Sequence, residues 1–202
     1  MLNRSAKSLE EFCGYYPTLA TIVTAKSNGR ENAMAVAWHV IVSTNPPAYG
    51  VSVSPKRFTH GLITESGRFA VNFLPAEETE LIAAVGGCSG RDVDKFKEFG
   101  IEKAAPAVID VPVLKRAYFA LECEVASRTS CGDHDWFIGR IVAAHWSEEA
   151  FDEEGLVRFE KARPTAYMGG NRYLAILRGE PTHFDRKECI ARRREAVARN
   201  AT

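Results

Sequence analysis

Residues 18–41 read TLATIVTAKSNGRENAMAVAWHVI, and the fold turns on how this stretch is parsed. Thr18 to Ala25 is a β-branched, apolar run, and Asn32 to Ile41 is another. Between them stands Asn28-Gly29, two residues that tolerate positive φ and so close a tight hairpin with the twist that strands prefer. The segment therefore reads as two antiparallel strands. Asn45-Pro46-Pro47 then breaks the ladder, because proline has no N–H to donate.

The same logic extends outward. Ala48 to Ser54 reads as a third strand, with Tyr49, Val51 and Val53 on one face and Gly50, Ser52 and Ser54 on the other. Phe58 to Ser66 reads as a short helix ended by Gly67, and Arg68 to Leu74 as a fourth strand. Glu77 to Val85 and Asp92 to Phe99 carry helical periods, the second closed by Gly100. Tyr118 to Arg128 and Trp136 to Trp146 are further strands, linked by Ser130-Cys131-Gly132-Asp133. Phe184 to Asn200 is Arg-rich and predicted helical. Many short strands with helices inserted irregularly argue for a closed antiparallel barrel over a doubly wound sheet. Gly86-Gly87-x-x-Gly90 lacks the strand–turn–helix context of a dinucleotide loop and is rejected as one.

Composition narrows the function classes. The 202 residues suit one domain, 1–202, with a core at about 16–175 and a helical tail at 180–202. Lys plus Arg and Asp plus Glu number 26 each, so no broad footprint for nucleic acid or anionic membrane is expected. No apolar run approaches bilayer length, and Met1 to Glu11 has no following hydrophobic region of a signal peptide. Cys13, Cys88, Cys123, Cys131 and Cys189 are odd in number and contain no C-x-x-C pair, which fits a reducing cytoplasm. His39, His60, His134, His145 and His183 show no metal-ligand spacing, so no metal is expected.

Several pieces in fixed order resemble the flavin reductase-like, FMN-binding split-barrel family, and within it the flavoredoxin branch. They are Asn32-Ala33-Met34-x-x-Ala37-Trp38, Ser43-Thr44-Asn45-Pro46-Pro47, and Val53 through His60. Phe69-Ala70-Val71-Asn72, Ser89 through Phe96, Gly132-Asp133-His134 and Phe137-Ile138-Gly139-Arg140 follow. The resemblance implies a mainly β fold with inserted helices, an antiparallel Greek-key split β-barrel. It also implies non-covalent FMN at a homodimer interface, reduced by NADH, NADPH or another electron donor.

The residues can be read for that chemistry. Ser54-Pro55-Lys56-Arg57-Phe58-Thr59-His60 gathers hydroxyls, cations and a helix N-terminus, a cradle for a phosphate; it also reads as a capped strand-to-helix turn. Ala35, Val36 and Ala37 belong to a run of small residues that lets a flat ring reach backbone groups, with Trp38 flanking it and Ser52 nearby. On composition alone the run better suits close strand packing inside a barrel; the resemblance places it against the isoalloxazine. Asn72 is a candidate contact or a surface amide near a strand end. Ser89, Gly90 and Lys95 suit the phosphate or the ring edge, where a lysine would stabilise the anionic reduced flavin; Asp94 reads as a helix cap. His134 is a candidate on the substrate side, in a turn where Asp-His also serves as turn chemistry. Arg163-Pro164-x-x-Tyr167-Met168-Gly169-Gly170-Asn171-Arg172-Tyr173 resembles the family's closing segment beside the flavin, with Tyr167 where a relative often has histidine.

The expected activity is electron transfer from NADH or NADPH through FMN to free flavin, a ferric complex, oxygen, or a partner protein such as a monooxygenase. No catalytic nucleophile is required. Two rivals stand beside it: a flavoredoxin-like electron carrier without nicotinamide activity, and a barrel that holds haem or a pyridoxal phosphate relative.

Overall fold

The computed structural model describes Ser5, Lys7 and residues 16–176. The Arg-rich tail, Cys13, Cys189 and His183 lie outside the described residues. The first predicted hairpin is present as β2 (Thr21–Ser27) and β3 (Arg30–Val36), preceded by the two-residue strand β1 (Thr18–Leu19). Asn28 and Gly29 take φ of 50° and 74°, the conformation the turn requires. The continuous strand expected to Ile41 is instead broken. Ala37 and Trp38 form a corner, and β4 (His39–Thr44) begins beyond it. The chain turns again at Asn45–Pro46, and Pro47 opens β5 (Pro47–Val53), a position where no ladder bond is lost.

Next come α1 (Phe58–Ser66), β6 (Arg68–Phe73), α2 (Thr79–Gly87) and α3 (Lys95–Glu98). The short β7 (Lys103–Ala104) and β8 (Val113–Leu114) pair with one another. The long hairpin β9 (Phe119–Cys131) and β10 (His134–Trp146) turns at Gly132-Asp133. A last hairpin, β11 (Thr165–Gly169) and β12 (Arg172–Ala175), completes the described chain. The predicted helix start at Asp92 shifts to Lys95, because Asp94 is the residue that caps: its Oδ1 accepts from the N–H groups of Phe96 and Lys97 at 3.1 and 3.2 Å.

The main sheet has seven antiparallel strands in the order β3-β2-β6-β9-β10-β5-β4. Its edges, β3 and β4, are consecutive in sequence and joined by the Ala37–Trp38 corner. The sheet curls so that Val23, Val51, Phe69, Val71, Leu121 and Phe137, from five strands, share one core with Leu62 and Ile63 of α1. Curling also brings His39 of β4 to Leu19 of β1, whose carbonyl lies 2.8 Å from Nε2, and to the Phe73 ring of β6 at 5.8 Å. The two edges share no ladder, which makes the barrel a split one. β11 joins β1 and β12 in a three-stranded sheet at the mouth of that split.

Asn72 lies on β6 and is fully buried, neither at the surface nor on a cavity. Its Nδ2 donates to the Ile22 carbonyl and to Thr24 Oγ1, and its Oδ1 accepts from Leu114 N–H at 2.8 Å. The amide satisfies buried backbone groups between strands, the only way such a side chain sits cheaply in a core.

Candidate functional site

A cavity of about 670 Å³ opens where β3, the corner, β5, α2 and the β11–β12 hairpin converge. Its floor is Met34, Ala35 and Val36, continued by Ala37 and Trp38. One wall is Ser52 and Val53 of β5 with Ser54 just beyond it; the other is Ile82, Ala83, Gly86 and Gly87 of α2. The small residues set this geometry. α2 approaches β3 so closely that a methyl on Gly86 would sit 3.3 Å from the Ala35 methyl. The glycine pair set aside as a dinucleotide loop thus belongs to the last turn of a helix facing the cavity.

At one end stands the corner Ser54–His60. Arg57 lines the cavity, held by its N–H to the Ser54 carbonyl at 2.9 Å. It precedes α1 in an extended conformation, and no side chain caps the helix there. The positive end of the α1 dipole is therefore presented beside Arg57. Among the described residues no carboxylate lies within ion-pair distance of Lys56, Arg57 or Arg91.

Other candidates from this corner point elsewhere. Thr59 is fully buried, and its Oγ1 accepts from Asn32 Nδ2 at 2.8 Å. His60 bonds Asp135 Oδ2 at 2.8 Å and meets the Phe137 ring edge-on at 5.1 Å, so it ties α1 to β10. That bond holds the Asp135 carboxyl below its ordinary range. Lys56 is exposed and outside the cavity lining.

The Ser89–Lys95 segment also packs instead of lining the cavity. Ser89 makes a local turn, its Oγ accepting from Arg91 N–H at 3.2 Å. At Gly90 a Cβ would fall 2.2 Å from Asn32 Oδ1 and 2.7 Å from Phe58 Cδ1, so only a bare backbone fits. Lys95 is 3% exposed, and its ammonium donates to the Val85 carbonyl at 2.7 Å, closing the C-terminal end of α2. Burial lowers its pKa. The amine expected near a flavin ring edge is engaged on the far side of the helix end.

The lining also carries an aromatic pair close to that corner, because Asp135 of β10 pairs with Val53 of β5. His134 opens β10, and its ring lies 4.9 Å from that of Trp38, tilted by 56°. Its Nδ1 is bonded to Asp133 Oδ1 at 2.8 Å, and this bond lowers the Asp133 pKa. The dyad fixes the imidazole, leaving Nε2 as the ring's other polar atom. Across the mouth, Tyr167 and Tyr173 are cross-strand partners with ring centroids 5.4 Å apart. Asn171, at φ 60°, completes the rim from the hairpin turn.

Of the sequence candidates, Ala35, Val36, Ala37, Trp38, Ser52, Ser54, Arg57 and His134 thus share one cavity. Lys56, Thr59, His60, Asn72, Ser89, Gly90 and Lys95 do not line it. Reading the residues missed Ala20, Ile82, Ala83 and the two α2 glycines. The signal available was the small-residue composition of Ala83-Ala84-Val85-Gly86-Gly87, unusual for a helix that packs only on a core. Among the described residues there is no cluster of three or more potential ligands for a metal ion, and no helix long and apolar enough to cross a membrane.

Comparison with known proteins gives a consistent set of relatives. A model of the flavin reductase like domain matches residues 13–173. An FMN-binding protein from Thermus thermophilus, solved with 1-cyclohex-2-enone bound, is 34% identical and superposes with a TM-score of 0.78, covering 92% of this chain and 99% of its own. The flavoredoxin of Desulfovibrio vulgaris superposes at 0.80 with 25% identity, covering 92% and 100%. An uncharacterised protein of Aeropyrum pernix is 32% identical over 158 residues; these are 78% of this chain and 59% of that protein's length.

Proposed function

The chain belongs to the flavin reductase-like family, and from that premise we propose that it is an oxidoreductase holding FMN non-covalently in the 670 Å³ cavity. The observation that carries the reading is the cavity's lining: a cationic, dipole-bearing corner at Arg57, the small-residue run Ala35–Ala37, and the aromatic pair Trp38 and His134 in one cavity. Its volume falls within the range of about 300–1,000 Å³ usual for small-molecule sites. FMN has the matching parts, a dianionic tail and a flat, largely apolar ring.

In this reading Arg57 and the uncapped first turn of α1 hold the phosphate, with Ser54 beside them. The Ala35–Ala37 backbone lies against the ring, where absent side chains leave N–H and C=O groups accessible. When bound, FMN supplies a carrier that accepts and releases a pair of electrons. The protein contributes position. Trp38 shields one side of the mouth, Asp133 fixes the His134 ring, and His134 presents Nε2 toward an incoming substrate. NADH or NADPH is the proposed donor, and free flavin, a ferric complex or a partner protein the acceptor.

A second copy of the chain is the proposed partner. β4 is an edge strand whose Val40, Ile41 and Val42 are all exposed, and Trp38 beside them is 55% exposed. An unpaired apolar edge next to a cofactor mouth is a surface that a homodimer covers. The test of the enzymatic reading is anaerobic mixing of the FMN-loaded protein with NADH and with NADPH. Bleaching of the visible flavin bands and steady-state nicotinamide oxidation are expected. The similarity to the Desulfovibrio flavoredoxin favours a second reading, an electron carrier; bound FMN without nicotinamide oxidation by either donor would select it.

A further inference from the structure

Phe58, the first residue of α1, has two guanidinium groups over its ring: Arg30 at 5.4 Å and Arg91 at 6.0 Å from the centroid. Arg91 Nη1 also donates to the Lys56 backbone carbonyl at 2.8 Å, which anchors its guanidinium to the turn before α1. Arg30 has one distant carboxylate, Glu65 at 3.9 Å. Arg57, next in sequence to Phe58, already gives the cavity its own cation. Three guanidinium groups, of Arg30, Arg57 and Arg91, therefore stand about a corner where a single phosphate monoester brings at most about two negative charges. The surplus has a fixed geometry: planar, stacked donors outside the cavity.

We propose that Arg30 and Arg91, with Phe58 between α1 and β3, form the adenosine end of a nicotinamide-dinucleotide site and take its 2′-phosphate, so that NADPH is the electron donor in preference to NADH. This rests on the FMN-dependent reading above and names the donor for it. Arginine suits the task, because its planar fork both pairs with a phosphate bidentately and stacks on an aromatic or a base. An arginine replacing an acidic ribose contact is also how a dinucleotide site accommodates the 2′-phosphate. The reach is right as well. β3 rises about 3.3 Å per residue, so Arg30 stands about 20 Å along the strand from Val36 at the cavity floor, a span that an extended dinucleotide bridges.

The experiment compares kcat/KM for NADPH and NADH in the FMN-loaded wild type and in the variants Arg30→Ala, Arg91→Ala and the double variant, with FMN content read by absorbance. The wild type should favour NADPH by about tenfold or more, from two charge-assisted contacts. The double variant should lose that preference by a tenfold to hundredfold fall for NADPH alone, while NADH turnover and FMN content stay within about twofold. A wild type that favours NADH, or variants that slow both donors equally or shed FMN, would overturn the proposal. If neither nicotinamide is oxidised, the enzymatic reading itself fails. Calorimetry with adenosine 2′,5′-bisphosphate and 5′-AMP then decides the site separately: selective binding of the bisphosphate, lost in the double variant, upholds it, and no selectivity in the wild type ends it.

Discussion

Arg57 and Thr59 are two residues apart on one corner, yet the structure gives them different tasks. Arg57 lines the cavity, so Arg57→Ala should weaken FMN binding by about 10- to 100-fold, the worth of a hydrogen bond to a charged group, with little change in melting temperature. Thr59 is turned inward to Asn32, so Thr59→Val should leave FMN affinity alone and cost about 1–3 kcal/mol of stability by stranding the buried amide. Titration of FMN into each variant, beside a denaturant melt, separates the two. Sequence put both in a phosphate cradle because residue type reveals a donor but not its direction. The same limit applies to Lys95 and Asn72. A lysine near a proposed ligand and an amide in a strand look available until packing engages them, one on the Val85 carbonyl and one between three strand partners. His39 adds a pH dependence at this scale. Burial lowers its pKa from 6.5, and the neutral ring is held between the Tyr49 hydroxyl and the Leu19 carbonyl. Its contribution to stability is thus complete above about 6.5 and declines as pH falls toward the lowered folded value. Denaturant midpoints should drop as pH falls below about 6.5, and a His39→Gln variant should show a smaller drop.

Among the elements, the hairpin at Asn28-Gly29, the helix ended by Gly67 and the long β9–β10 pair were legible, because turn residues and periodicity are local signals. The break at Ala37–Trp38 was not. Residues 33–38 are apolar throughout, and only the position of β3 and β4 at opposite sheet edges demands a corner there. The loop between β7 and β8 depends on another non-local device. Glu122 of β9 is fully buried; its carboxylate accepts from the N–H groups of Ala107, Val108 and Ile109 and meets His145 Nε2 at 2.7 Å. Burial pushes its pKa up, but these donors outweigh it, and the net shift is downward from 4.5. The carboxylate's contribution is therefore present above about 4.5 and is lost as pH falls through the folded value. Glu122→Gln, which sets an amide N–H against backbone donors, should cost about 2–3 kcal/mol at neutral pH and flatten the acid limb of the stability profile. Amide exchange at Val108 and Ile109 would report the loosened loop directly.

For the whole molecule, an antiparallel barrel left open along one seam explains why the cavity, the apolar edge and the cationic corner adjoin. The seam puts β3 and β4 apart, α2 and the β11–β12 hairpin flank the gap, and β4 is left without a neighbour on its outer side. The architecture was legible from the sequence through strand count and punctuation, and through the ordered motifs that resemble this family. The far wall of the site was not, since Ile82, Gly86 and Gly87 reach the cavity only once α2 has folded over the seam. If a second copy covers β4, Ile41→Lys should shift the protein to a monomer in sedimentation at micromolar concentration and weaken FMN retention. A wild type that is monomeric with FMN bound would refute the dimer without touching the site.

The cavity's proposed occupant is the claim on which the rest depends, and a titration of metal-free, flavin-stripped protein with FMN tests it most directly. The account predicts saturable binding of one FMN per chain, seen as quenched flavin fluorescence, and clearly weaker binding of riboflavin, which lacks the phosphate for the Arg57 corner. Protein that leaves FMN fluorescence unchanged, or binds riboflavin equally well, contradicts it.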